Sequence, residues 1–511
     1  MNLLLGTDIG TSGTKTILMD TGGHLLASDL QEYGVLSLHP LWAEQWPDVW
    51  LRAARESIRR TVQRSGCAPA DIKGLCISGL YGGSGVPLDR EMNPVRPCLI
   101  WMDRRASAQQ KWVEEQVGTE SIRRISKSGT DPYYGYLKML WIKENEPENW
   151  ARIRLFLPPN AYVIHRLTGE IAIDYSSAGN IGGIFDMERR RWSDEMLEAL
   201  GIPRSMLPER LAESSEIVGT LLPAEAETLG LPAGLPVIAG GVDCAVATLG
   251  MGVFAAGTYA AAIGTSMCAA FVHEGSPSGG GLIHMPYVYD ARRLTYSFGG
   301  GATAGAIVRW FRDEFAPLER LAEREGGPDA YAALDRAAAE VPPGSEGLIV
   351  LPYFMGERSP IWDTSARGAV VGLTLSHTRA HLYRAFLEAV AFSLRHTIEC
   401  ADTEVGPQIL VAGGAAKSPL WRQIIADVTG RSVLCPEQDV EATLGDVILA
   451  GVGTGLFRFE DAAHWQTFAP PVQPDPDRAQ LYTQYYKVYR ALYPDCKAQM
   501  AALSNLSTGA R

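Results

Sequence analysis

The chain opens on an apolar run, Leu3-Leu4-Leu5, that passes into a polar stretch, Gly6-Thr7-Asp8-Ile9-Gly10-Thr11-Ser12-Gly13-Thr14-Lys15. Apolar positions resume from Thr14 to Asp20, break at Asp20-Thr21-Gly22-Gly23, and resume from His24 to Tyr33. That alternation predicts three antiparallel strands joined by turns. Trp46, Val49, Trp50, Ala53, Ile58 and Val62 then fall on a helical face. Pro47 suits the first turn of that helix and Gly66 suits its stop. Ile72 to Ser78 reads as a fourth strand, so the order is strand, strand, strand, helix, strand.

The second half echoes this outline weakly. Pro236-Val237-Ile238-Ala239 is a short apolar run that ends in Gly240-Gly241-Val242-Asp243, and Ile409-Leu410-Val411-Ala412 ends in Gly413-Gly414. Ser418 as N-cap, Pro419 at the first position and Gly430 as the stop predict a helix. Thr378 caps a longer one, whose stripe Leu382, Phe386, Val390, Leu394 and Ile398 is core packing and carries no chemistry. Glu319 to Glu340 reads as a solvated helix broken at Gly326-Gly327-Pro328, and a last helix starts near Ala479. Ala245 to Val272 holds no charged residue and is long enough to span a bilayer. Gly250, Gly252, Gly257 and Gly264 interrupt it, so buried elements of a globular core are expected there.

Length suggests two domains. A hydrophobic fraction of 46% with 20% charged residues is ordinary for a globular protein. The net charge of −12 argues against a nucleic-acid partner. The eight cysteines form no C-x-x-C pair and no zinc spacing, so reduced thiols and a cytoplasmic location are expected. No basic n-region followed by an apolar h-region marks a signal peptide.

Chemistry concentrates in the glycine turns. In the first two, an apolar strand runs into a turn that offers a carboxylate among backbone N–H groups, the pairing a Mg-nucleotide site needs. The spacing is not that of a Walker loop. Around the first turn Asp8, Thr11, Ser12 and Lys15 form a dense polar set. Asp243 follows a buried strand, where an acid is costly unless it is paired or functional; a helix N-cap is its ordinary role. Gly413-Gly414-Ala415-Ala416-Lys417-Ser418 sets glycine backbone at a helix start. Trp101 and Asp103 offer a stacking face and a carboxylate to a polyol. Three such turns suggest a phosphate clamp built from two lobes.

Together these stretches resemble the FGGY carbohydrate kinases, from Leu4 to about Phe457. Thr7-Asp8-Ile9-Gly10-Thr11-Ser12 is similar to the family's first phosphate turn, Lys138 to Asn145 to its first signature, and Gly241-Val242-Asp243 to its catalytic turn. Gly356-Glu357-Arg358-Ser359-Pro360-Ile361-Trp362-Asp363 leads into a second signature, Gly368 to His377, and Gly413 to Trp421 is similar to its adenosine turn. The xylulokinase branch is the most similar, and gluconate kinases share much of it. Where that branch carries Gln-Met-His-Gly, this chain has Leu80-Tyr81-Gly82-Gly83; where it carries Trp-Asn-Asp, this chain has Trp101-Met102-Asp103.

The resemblance implies an α/β, two-domain actin/hexokinase-like (ribonuclease H-like) fold with a cleft between lobes, and it sets the domain bounds at 1–246 and 247–511. It implies ATP-dependent phosphorylation of a sugar hydroxyl, with D-xylulose as the first expectation and gluconate, ribulose or a tetritol or pentitol as alternatives. An actin-like ATPase or a sugar sensor is the rival class. Asp243 would be general base, and Asp8 would help hold Mg²⁺. Thr11, Ser12, Lys15, Gly264, Thr265, Gly413, Gly414, Ala415 and Ser418 would hold ATP. Tyr81, Gly82, Trp101 and Asp103, with Asp243, would meet the sugar. The expected partner is a small sugar or polyol, with no nucleic acid and no membrane; a homodimer is left open.

Overall fold

The computed structural model describes residues 1–275, 277, 281–401, 406–437 and 442–509. Its first sheet is built from β1 (Leu3–Ile9), β2 (Gly13–Asp20), β3 (Leu25–Glu32), β4 (Ile72–Gly79), β5 (Ile217–Thr220) and β6 (Pro236–Ile238). The spatial order is β5-β6-β4-β1-β2-β3. β1, β2 and β3 form an antiparallel meander, and β4 and β6 add in parallel beyond β1. Helix α1 (Pro47–Ser65) crosses between β3 and β4 and ends at Gly66, whose φ of 63° closes the last turn.

Strand periodicity divides the core. Leu3 and Leu5 point to the face covered by α1, where they pack with Trp50, Ile58 and Ile77. Leu4 and Cys76 point to the opposite face and join a different cluster with Val246, Leu249 and Val447. That second face is covered by two helices, α2 (Asp243–Gly250) and α5 (Ala442–Gly453).

The second sheet repeats the plan. β7 (Tyr259–Ile263), β8 (Met267–Glu274), β9 (Ile283–Pro286), β10 (Leu294–Gly299), β11 (Gln408–Gly413) and β12 (Ser432–Leu434) lie in the order β9-β10-β8-β7-β11-β12. β7, β8 and β10 are antiparallel, and β11 and β12 add in parallel beyond β7. The echo, weak in sequence, is therefore strong in topology. Helices α3 (Arg379–Glu399), α4 (Pro419–Thr429) and α6 (Pro476–Gly509) cover this sheet's outer side.

Ser418 caps α4 by accepting from Trp421 N at 3.0 Å, and Thr378 caps α3 with His381 completing the box. The charged Ala-rich segment forms two helices, Pro317–Arg324 and Ala330–Ala339. The uncharged stretch from Ala245 holds the rest of α2, then β7 and most of β8. Among the described residues no helix is long and apolar enough to cross a membrane.

Candidate active site

The first turn is fixed by its carbonyls. Gly10 N donates to Gly13 O at 2.9 Å, Tyr33 OH donates to Gly10 O at 2.7 Å, and Gln45 Nε2 donates to Thr11 O at 2.8 Å. Trp101 Nε1 donates to Thr11 Oγ1 at 3.0 Å, which ties the turn to a residue ninety positions on. Asp8 stands at the end of β1, opposite Lys15 on β2 and Ser78 on β4. Ser78 Oγ lies 3.2 Å from Asp8 Oδ1.

The second turn is clamped from below. Gly240 has φ +66°, and an ideal Cβ there would lie 2.0 Å from Ile77 O, so only glycine lets the chain pass this close to β4. Gly79 N donates to Gly241 O at 3.0 Å, and Val242 N donates to Ser176 Oγ at 3.0 Å. Ser176 is itself held by Asp174, which also caps the helix Tyr175–Asn180. Asp243 thus begins α2 in a fixed place, with Cys244 N donating to its Oδ1 at 2.6 Å. Burial pushes the Asp243 carboxyl up to about 7, against the lowering effect of that N–H.

Asp8 and Asp243 line one cavity of about 500 Å³, together with Gly10, Ser12, Gly13, Lys15, Cys244, Ala247 and Ala442. With Glu32 also on its wall, three carboxylates and a lysine around a glycine turn make a polar basin suited to phosphate and a hard cation. No group of three or more His, Cys, Asp or Glu side chains that would hold a metal occurs among the described residues. That donor set fits Mg²⁺, which keeps waters and phosphate oxygens and needs only one or two carboxylates.

A larger cavity of about 870 Å³ lies on the second lobe, and Gly264, Thr265, Asp335, Tyr383, Gly414 and Ser418 are among its walls. The Gly264–Thr265 turn is pinned to the start of the helix Gly305–Phe315, because Gly305 N donates to Gly264 O and Ala306 N to Thr265 O. Ser418 Oγ donates to Asp335 Oδ2 at 2.6 Å, and Tyr383 OH donates to Asp335 Oδ1 at 3.1 Å. Burial raises the Asp335 carboxyl, and these two donors oppose it. Gly413 takes φ +85° with its ideal Cβ 2.6 Å from Ile263 O, which seats β11 against β7. Ala415 is fully buried, and its side chain belongs to the core, not to the cavity wall.

Three of the residues expected to meet the sugar are buried in the structure. Asp103 is fully buried, and its carboxylate accepts from Ala43 N and from Arg105 Nε and NH2. It locks a loop and has no surface to offer a substrate. Tyr81 is buried, and desolvation beside Cys98 and Asp174 raises its phenol well above the ordinary range. Gly82 has no side chain, its carbonyl accepts from Lys138 Nζ at 2.6 Å, and the space beside it is filled: an ideal Cβ would lie 2.6 Å from the Tyr133 ring. Burial lowers the Lys138 ammonium to about 7 while it also donates to Tyr133 O at 2.5 Å. Trp101 remains half-exposed, with the Arg358 guanidinium 5.2 Å above its ring.

Four features escaped sequence reasoning: the Asp174–Ser176 clamp, Asp335, the Arg358–Trp101 contact and Asp446. Asp446 had a signal, since it is the sole ionisable residue in the apolar run from Ala442 to Gly453.

The fold, the duplicated sheets and the two cavities define a two-lobed kinase. The N-terminal domain of the FGGY family of carbohydrate kinases matches residues 3–250, and the C-terminal domain of that family matches 259–454. The chain belongs to that family and is a carbohydrate kinase. It is 31% identical to the xylulose kinase of Bacillus subtilis (strain 168), over 99% of both chains. It is 30% identical to the gluconokinase of the same strain, over 90% of this chain and 89% of that one. The crystal structure of xylulose kinase from Rhodospirillum rubrum superposes with a TM-score of 0.87 at 29% identity, covering 98% of this chain and 100% of that one.

Proposed function

We propose that the chain transfers the terminal phosphoryl group of ATP to a hydroxyl of D-xylulose, giving D-xylulose 5-phosphate. The observation that carries this reading is the common basin of Asp8 and Asp243 at the foot of the first phosphate turn. The kinship with xylulose kinases supports the substrate. Asp243 takes the proton of the attacking hydroxyl, and a carboxyl near 7 suits a general base at neutral pH.

Thr11, Ser12 and the amides of their turn cradle the transferring group, and Lys15 adds charge. Asp8 would hold Mg²⁺, which would supply charge neutralisation at the phosphate oxygens. Gly264, Thr265, Gly413, Gly414 and Ser418 hold the nucleotide in the second cavity. Trp101 is the sugar-facing ring. Residues 1–246 form the sugar-side domain and 247–511 the nucleotide-side domain, although α5 of the second part packs on the first sheet. Closure of the lobes expels water that would otherwise accept the phosphoryl group.

A second reading, phosphorylation of gluconate, is favoured by the Arg358 guanidinium over Trp101, which would pair with a substrate carboxylate. ADP release measured across D-xylulose, D-ribulose, pentitols, tetritols and gluconate separates the two. The highest kcat/KM is expected with D-xylulose. A higher value with gluconate replaces the first reading by the second, and ADP release unaffected by any polyol removes both.

A further inference from the structure

Asp446 has no exposed surface and lies at the centre of α5. The helix cannot shift freely. An ideal Cβ on Gly6 of β1 would lie 2.3 Å from Thr443 O, and one on Gly445 would lie 2.0 Å from Val246 O in α2. Backbone thus rests on backbone at both contacts, and the Asp446 carboxylate is fixed relative to the strand that carries Asp8 and the helix that begins with Asp243.

Its oxygens are both engaged. Cys76 Sγ stands 3.4 Å from Oδ1, and Ser78 Oγ stands 2.8 Å from Oδ2. The same Ser78 Oγ is 3.2 Å from Asp8 Oδ1. One hydroxyl hydrogen therefore faces two carboxylates. Ser78 Oγ thus ties the Asp446 carboxyl to the Asp8 carboxyl through one hydroxyl. Asp8 Oδ2 faces the phosphate turn, where an ideal Cβ on Gly10 would lie 3.8 Å away. Burial and the nearby Asp8 raise the Asp446 carboxyl well above its ordinary range. A buried acid kept only for packing is a poor choice, since an apolar residue of similar volume avoids the desolvation cost.

We propose that Asp446 is a positioning residue for phosphoryl transfer: through the Ser78 hydroxyl it fixes the Asp8 carboxylate in the orientation that receives Mg²⁺. This rests on Asp8 being the metal-holding carboxylate, as in the function proposed above. Asp446 touches neither sugar nor nucleotide in this arrangement, and it acts through one hydrogen bond in a relay.

The test titrates Mg²⁺ into the full-length protein saturated with ADP, by calorimetry, and measures kcat and sugar KM alongside. D446A and S78A are expected to weaken Mg²⁺ binding about tenfold, the usual cost of losing a residue that orients a metal ligand. Sugar KM should stay within about twofold, and the double variant should be no worse than either single one. D446N keeps a hydrogen-bonding group of the same shape beside Ser78 and should recover most of the loss. Wild-type Mg²⁺ binding in D446A and S78A overturns the proposal, and so does a D446N variant as impaired as D446A. If D446A does not fold, S78A decides, since it removes only the hydroxyl. A D8N variant with unaltered Mg²⁺ binding overturns the assignment of Asp8 and the proposal with it. An impaired D8N beside normal S78A and D446A overturns the relay alone.

Discussion

The two sheets share one strand plan, yet the turns at their leading hairpins differ in chemistry. In the first, β1 carries Asp8 just before its last residue, Ile9, and the turn to β2 carries Gly10, Thr11 and Ser12 before Lys15. In the second, β7 ends in Ile263 and the turn to β8 carries Gly264, Thr265 and Ser266, with no ionisable side chain. The cavities follow. The basin at the first turn is lined by Asp8, Glu32, Asp243 and Lys15, whereas the cavity beside the second is larger, carries Asp329, Arg309, Arg336 and Lys417 on its walls, and has its Asp335 occupied by Ser418 and Tyr383. A duplicated frame thus supplies two glycine turns, and the side chains on them divide the work. On the proposed reading, one end acts on phosphate and metal, and the other holds the nucleotide.

That division is best tested by removing one group at a time, starting at the acid end. D243N should keep nucleotide binding and lose about two or more decades in kcat, because an amide accepts no proton from the attacking hydroxyl. Steady-state rates beside ADP calorimetry check this, and near-normal turnover in D243N contradicts the base assignment. D8N should raise the Mg²⁺ concentration for half-maximal rate and cut kcat by about tenfold, with sugar KM little changed. A Mg²⁺ dependence identical to the parent would move the metal away from the first turn.

At the other end the effects should be smaller and of a different kind. S418A removes the cap of α4 and the donor to Asp335. It should cost about 1 kcal/mol of stability, seen as a lower Tm. ATP KM should rise a few-fold with kcat nearly unchanged. A large fall in kcat for S418A would erase the contrast between the two ends.

Much of this frame was legible in the sequence because its signals are local. Pro47 and Gly66 bracket α1, Ser418 and Gly430 bracket α4, and strand-to-glycine transitions mark Asp8, Asp243 and Gly413. The placements that no local pattern announced share a physical cause. Asp103 and Tyr81 sit in stretches where the sequence does not say which way a side chain points; the fold turned both inward, one onto Arg105 and the other into the core. The space at Gly82 is filled by Tyr133, fifty-one positions away, which no local pattern announces. Asp446 is the converse case. A lone acid in an apolar helix was visible, but its partners Cys76 and Ser78 come from a strand some 370 residues earlier.

The proposed base is a single carboxyl, Asp243, and the pH dependence of turnover tests it most directly. Burial raises the Asp243 carboxyl to about 7, and only the ionised form accepts the substrate proton. As pH falls through that value the base is lost, so wild-type kcat/KM should drop about tenfold per pH unit below 7 and level off above it. In D243N the residual rate should be flat across the same range. An equal acid limb in wild type and D243N would mean that another group carries the titration, and Asp243 would not be the base.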